Sequence, residues 1–355
     1  MLFLIVQCLL SVCLVDNGMD VHELTMKGSR LTATDATALE AKLKDNPKDT
    51  DSRTMLLGYY FGARFSDREM EQSHQQHVLW LVENSPEAKV LGLPYGELDP
   101  IRGRQAFQKA KVFWLKHLEV QPKNLAILGH TSKFFSRRNP AKTKELLERA
   151  HGIAPKDPEW PQELGQHYAM QMMRLSGDER REAAGEALKQ FELAYELSDK
   201  LGRDSILPRL GKVAFAAGEM EKAKAFAAAM LEPSDDKAED WNRGNKTHHG
   251  NNLLGQIALA AGNIEEAKEH LIKAAKTSGS PQLGSFGPNM QLADELLKAG
   301  EKEVVLKCFD LCEKFWDMGE EKLNAWRTSV KDGNRNSARI CITEIAANCS
   351  SQPDV

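Results

Sequence analysis

The chain has 355 residues, 41% hydrophobic and 28% charged, a core-forming composition long enough for two or three compact domains or one repeat array. Its formal net charge of −4 argues against a surface built for polyanions, and no nucleic-acid partner is expected. Aromatics make up only 7% and alanine is frequent in the middle of the chain, so an all-α fold of closely packed helices is expected.

The first residues, MLFLIVQCLLSVCLV, are apolar throughout. The run is shorter than the ~20 residues a membrane span needs, which favours the core of a signal peptide within 1–20. The flanks fit such a peptide imperfectly, since no Lys or Arg precedes the run and no A-x-A-like site follows. LSVC at 10–13 resembles a lipoprotein box with a poor Val12, so a lipid anchor stays open. The expected location is periplasmic or secreted if this leader is cleaved, and cytoplasmic otherwise.

Helical patterns then follow in order. The first pair covers 34–46 and 50–63, with Asp51 or Thr50 as N-cap. Residues 67–84 form a helix rich in Gln and His that stops before Pro86. LGLPYGELDP (91–100) is irregular because Gly and Pro break it. Helices are expected at 103–120, 123–136, 140–152, 158–175, 179–198, 203–217, 219–231, 240–261, 263–276, 289–299 and 301–317. Residues 320–331 carry Leu323 and Trp326, and a last helix at 336–348 brings Ile340, Ile342 and Ile345 to cap the open end. Within this order, 34–155 reads as N-terminal degenerate repeats, 156–318 as C-terminal repeats, 319–348 as capping helices and 349–355 as a disordered tail.

Three segments share an internal pattern. LGQIALAAGNIEEAKEHLIKAA (254–275) places Ala267, Leu271 and Ala274 at +12, +16 and +19 from Gly255. LGKVAFAAGEMEKAKAFAAAML (210–231) repeats those offsets from Gly211 with Ala223, Ala227 and Met230. After LGQHYAM (164–170), Ala187, Phe191 and Ala194 keep the mutual spacing ten residues late. Two paired helices approach closely only where small residues meet, and the +4 and +3 steps put the last three positions on one face. Such a pair cannot bury its apolar stripe alone, so neighbours must stack.

These segments resemble the tetratricopeptide repeat family, a helix–turn–helix unit of roughly 34 residues. The L-G…A…[FL]…A pattern is good at 254–275 and 210–231 and fair at 164–195. In 123–155, Thr143, Leu147, Ala150 and Pro155 match the second helix, while Leu128-Gly129 sits two residues early. At 56–86 only LLGYYF and Pro86 match. The stretch from DWNRGNKTHHGNN through GSFGPNM also resembles bacterial proteins of this repeat type, which bring no activity with them. The resemblance implies a helix–turn–helix repeat solenoid, a tetratricopeptide-like superhelix over about 35–318, and leaves the ligand open.

Chemistry is sparse. The chain has no P-loop, G-x-G-x-x-G, H-E-x-x-H or G-x-S-x-G, and no catalytic residue, metal ligand set or cofactor is expected. His248 and His249 are neighbours on a helix, so they point about 100° apart and cannot chelate one ion from a single face. Glu265-Glu266 and Glu320-Glu321 read as solvated helix faces. The six cysteines include no C-x-x-C pair; Cys308 and Cys312 fall on an apolar face as buried thiols, and Cys341–Cys349 can pair only in an exported chain. N-K-T at 245–247 and N-C-S at 348–350 are short sequons of the kind that recurs by chance.

In this repeat type the first helix of each pair lines the concave surface. The residues just after the glycine position are Tyr59, His130, Gln166, Lys212 and Gln256, and Gln162, His249 and Asn252 share their faces. Amides and imidazoles of this kind suit an extended peptide backbone. SPQLGSFGPNM is longer than an ordinary link. Its Leu283 and Phe286 either fold back over the seam, with Gly284 and Gly287 at positive φ, or project so that Phe286 and Asn289 touch a ligand. Asn289 can also cap the helix beginning at Met290. The expected function is non-enzymatic binding of a protein or peptide on the concave face, without a membrane span. The alternatives are an enzyme or metal protein with a site near 245–256 and 278–289, or a self-associating structural subunit.

Overall fold

The structure is a computed structural model that describes residues 20–233 and 242–332. The leader with Cys8 and Cys13, the 336–348 helix, Cys341, Cys349, the sequon at 348–350 and the 349–355 tail lie outside the described residues. Among the described residues the regular structure is helical, and no helix is long and apolar enough to cross a membrane. The helices form two compact units, which divide in the chain between Phe134 and Phe135.

The first unit contains α1 (Val21–Gly28), α2 (Ala33–Asp45), α3 (Thr50–Ala63), α4 (Arg68–Asn84), α5 (Arg104–Val120) and most of α6 (Leu125–Phe135). Between α4 and α5, LGLPYGELDP folds mostly into two short 3₁₀ turns, Lys89–Gly92 and Pro94–Gly96. α1 had no counterpart among the sequence expectations, yet α1 rather than α2 is the main neighbour of α3. The crossing is set by two glycines. A Cβ on Gly28 would collide with the Met55 carbonyl, and a Cβ on Gly58 with the Thr25 carbonyl, so the two backbones touch directly. The expected caps of α3 are corrected: Asp49 is the N-cap and accepts from Ser52 N at 3.0 Å, because its side chain reaches back to the free amides of the first turn. α2 begins with a capping box between Thr32 and Asp35.

The second unit runs through α7 (Pro140–Ile153), α8 (Glu159–Met172), α9 (Gly177–Leu197), α10 (Lys200–Ala217), α11 (Met220–Leu231), α12 (Arg243–Ala260), α13 (Ile264–Ala275), α14 (Pro281–Phe286), α15 (Gln291–Lys298), α16 (Lys302–Cys312) and α17 (Glu320–Lys331). Consecutive helices pack as pairs, α8 with α9, α10 with α11, α12 with α13 and α15 with α16, and each pair stacks on the next. This is an all-α, tetratricopeptide-like helix–turn–helix repeat solenoid. The short turns inside pairs close with left-handed glycines at Gly218, Gly262 and Gly300, all at positive φ.

The small-residue pattern sits where the helices meet. Ala187, Phe191 and Ala194, then Ala223, Ala227 and Met230, then Ala267, Leu271 and Ala274 are all buried. The glycines do more than admit the second helix of their own pair. Gly165 lies under the ring of its partner helix's Phe191, whose atoms would stand 2.7 to 2.9 Å from an added Cβ. Gly211 and Gly255 instead receive Leu253 and Leu292, which come from the first helix of the following pair. One residue of the pattern is corrected: Leu254 is half-buried, and its neighbour Leu253 fills the core position. Cys308 and Cys312 are buried free thiols with their sulfurs 3.9 Å apart, packed with Trp316, Phe309 and Trp326.

Candidate functional site

In the second unit the first helices of consecutive pairs, α10, α12 and α15, lie side by side and form one wall. α12 is the middle element and is fixed by His248. The Asn289 backbone N–H can only donate, so His248 Nε2 accepts from it at 2.8 Å. Nδ1 therefore carries the proton and donates to Ala274 O at 3.1 Å, a carbonyl in the last turn of α13 that has no partner within its own helix. Burial, followed by the nearby His249 charge, lowers the His248 pKa to about 3. Both ring nitrogens are committed to the backbone, so His248 has no lone pair to give a metal. Among the described residues no group of three His, Cys, Asp or Glu side chains is placed to hold a metal ion.

His249 points elsewhere, as the helical step requires, and lies half-buried near Lys212 of α10. Burial, reinforced by the Lys212 charge, lowers its pKa to about 4 and keeps the ring neutral near pH 7. Two turns further along α12, Gln256 faces Glu295 of α15 short of full hydrogen-bond geometry, so its buried Nε2 lacks a good partner. Glu295 also accepts from Gln291 Nε2 at 3.0 Å, and burial raises its pKa. The wall therefore presents a lysine, a neutral imidazole, two amides and a carboxyl pushed toward its neutral form.

The structure brings Lys212, His249 and Gln256 into this cluster. Gln162 and Gln166 are half-buried on α8, one repeat earlier, and outside it. Tyr59 and His130 belong to the other unit. His130 is also an internal tie, with Nδ1 donating to Pro86 O at 2.9 Å. Asn252 is corrected as a groove residue: it is 5% exposed, and its Nδ2 donates to His248 O at 3.0 Å, because the +4 step from His248 turns it inward. Gln291 and Glu295 were not anticipated. The short helix that carries them has the sequence QLADELLK, whose apolar Leu292, Ala293 and Leu296 leave Gln291 and Glu295 together one turn apart.

The long link folds into a short helix, α14, capped by Ser280, which accepts from Leu283 N at 3.0 Å. Leu283 is buried and covers the seam, whereas Phe286 is 51% exposed, so the two side chains part company. Gly287 has φ +88 and lies against the Trp316 ring; Gly284 is helical, contrary to expectation, and needs no positive φ. The N-cap of α15 is Met290 rather than Asn289; Asn289 stands one residue earlier, its Oδ1 accepts from Gln291 N at 2.8 Å, and its backbone locks His248.

The first unit holds a buried polar chain that the sequence reading missed. Tyr60 hydroxyl donates to Glu40 Oε1 at 2.7 Å, and His77 Nε2 lies 2.8 Å from the same oxygen. Arg53 Nη1 is 3.1 Å from His77 Nδ1. Arginine only donates, so Nδ1 accepts and Nε2–H donates to the carboxylate. With both nitrogens used, His77 cannot serve as a general base in this state. Other histidines of this unit repeat the carbonyl tie of His130: His74 donates to Tyr95 O at 2.8 Å and His117 to Val82 O at 2.7 Å. One sequence signal was available, since His74 and His77 share the face of α4 that carries Val78 and Leu81.

No protein-family model matches the chain, and no curated protein matches it. Among solved structures it is similar to the human IFIT1 dimer with m7Gppp-AAAA, at 18% identity and a TM-score of 0.47, over 88% of this chain and 67% of that one.

Proposed function

We propose that the protein is a non-enzymatic scaffold that holds an extended segment of a protein partner along the wall formed by α10, α12 and α15. One observation carries this reading: Lys212, His249, Gln256, Gln291 and Glu295 are gathered from three successive first helices onto one face. Most of these groups are uncharged donors and acceptors, which suits the alternating N–H and C=O of a peptide backbone. The helices are held in place by core packing and by His248, so binding orders little of the protein. Exposed Phe286, on the short helix between α13 and α15, offers the partner a further apolar contact.

The test is affinity capture from cell extract with the whole chain and with a Lys212→Ala/Gln256→Ala variant, followed by mass identification. The variant is expected to keep its helical circular dichroism and to lose the partner that the wild type retains. Equal capture by both proteins removes the wall from consideration.

A further inference from the structure

The Glu40 carboxylate of the first unit has an asymmetry that a purely structural bridge does not need. Both of its donors, Tyr60 from α3 and His77 from α4, converge on Oε1. Oε2 accepts nothing among the described residues, and the side chain is 35% exposed. Arg53 is the cation nearest to this network, but it does not meet the carboxylate. Its Nη2 donates to Pro47 O at 3.0 Å, its Nη1 to His77, and its guanidinium lies 3.8 Å over the Trp80 ring. A neutral imidazole therefore stands between the buried positive charge and the negative one. The result is a carboxylate fixed at one oxygen by two short hydrogen bonds, with its other oxygen turned outward. Those bonds, led by the one from His77, also hold the Glu40 pKa below the ordinary carboxylate range. Tyr59 is half-buried beside the site, edge-on to Tyr60 at 5.2 Å, and offers a ring to an approaching cation.

We propose that Glu40 Oε2 is a recognition point for an organic cation, an alkylammonium or guanidinium group. A basic side chain of a polypeptide and a free polyamine share this chemistry. An ordinary surface glutamate loses rotamer freedom when it pairs with a cation, and that loss cancels most of the gain. Glu40 is already immobilised and ionised, so the loss is small. The site is in the first unit and stands or falls independently of the wall on α10, α12 and α15.

The experiment uses the full chain with its five tyrosines replaced by 3-fluorotyrosine and read by ¹⁹F NMR, with Tyr59 assigned from a Tyr59→Phe variant. Three probes are titrated: an end-blocked Gly-Lys-Gly peptide, the same peptide acetylated on lysine, and spermidine. The expected result is a saturable shift at Tyr59 or Tyr60 with a dissociation constant on the order of millimolar, weakened about tenfold by acetylation. Glu40→Gln keeps an oxygen for Tyr60 and His77 but removes the charge, and it should weaken binding by a similar factor. Tighter binding of the lysine peptide assigns a polypeptide partner, and tighter binding of spermidine a polyamine. Absence of saturation, equal binding of the acetylated peptide, or unchanged affinity in a folded Glu40→Gln protein overturns the proposal. The acetylation comparison uses wild-type protein only, so it decides the matter even if Glu40→Gln fails to fold.

Discussion

Gly58→Ala is the sharpest probe of the contact between α1 and α3. The added Cβ would stand 3.0 Å from the Thr25 carbonyl carbon and 3.1 Å from its Cα, with the carbonyl oxygen closer still. All three atoms are backbone, so no rotamer change relieves the clash. α1 must retreat by about an ångström or leave, and overpacking of this kind costs about 1–3 kcal/mol. The loss has a ceiling, because α1 contributes mainly the burial of Leu24, Thr25 and Gly28, and a buried leucine side chain is worth about 1.5–3 kcal/mol. The expected outcome is therefore local. Amide hydrogen exchange in Val21–Gly28 should speed up by about 5–150-fold while the rest of the unit keeps its protection. Gly62→Ala is the control on the same helix. Nothing lies within 4 Å of its added Cβ, so it should show only the helix-propensity gain of about 1 kcal/mol. If Gly58→Ala behaves like Gly62→Ala, with α1 amides as protected as in wild type, the backbone crossing does not exist as described.

Three further outcomes follow from the packing and the charges. Leu253→Ala should cost about 2–5 kcal/mol in urea unfolding, and Leu254→Ala clearly less, because only Leu253 is buried against Gly211. Gly287→Ala should destabilise by more than about 1 kcal/mol, since it combines φ +88 with a collision against the Trp316 ring. The His248 pKa is depressed in the fold, so the unfolded chain takes up the proton first on acidification, and the stability present above its ordinary pKa near 6.5 is lost as pH falls toward about 3. Between about pH 7 and about pH 5 this one group should remove on the order of 2 kcal/mol, and a His248→Gln variant, compared by urea unfolding at both pH values, should lack that portion of the slope.

The histidines show how one residue type is put to a common use. His74, His117 and His130 in the first unit and His248 in the second each donate to a backbone carbonyl at least 21 residues away in sequence. Val82 and Ala274 are in the last turns of α4 and α13, where carbonyls lack helical partners. A neutral imidazole satisfies such a group without bringing a charge inside. This accounts for the burial of His74 and His248 without any metal motif in the sequence.

Most helix positions, and the pairing within the second unit, were legible from the amino-acid order, because periodicity and cap chemistry act within a few residues, whereas α1 and its crossing with α3 were not. The recurrence of Gly255, Ala267 and Ala274, and of Gly211, Ala223 and Ala227, was enough to state which faces meet, since only small side chains allow paired helices to nest. What the linear order could not decide was the partner of each polar group. Glu40 and His77 are 37 residues apart, His248 and Asn289 are 41 apart, and neither pair has a spacing that announces it. Asn252 and Gln256 look alike in sequence, one turn apart on α12, yet one is bound inward to His248 and the other faces Glu295. That difference comes from where α13 and α15 press on α12, and such contacts exist only once the chain has stacked.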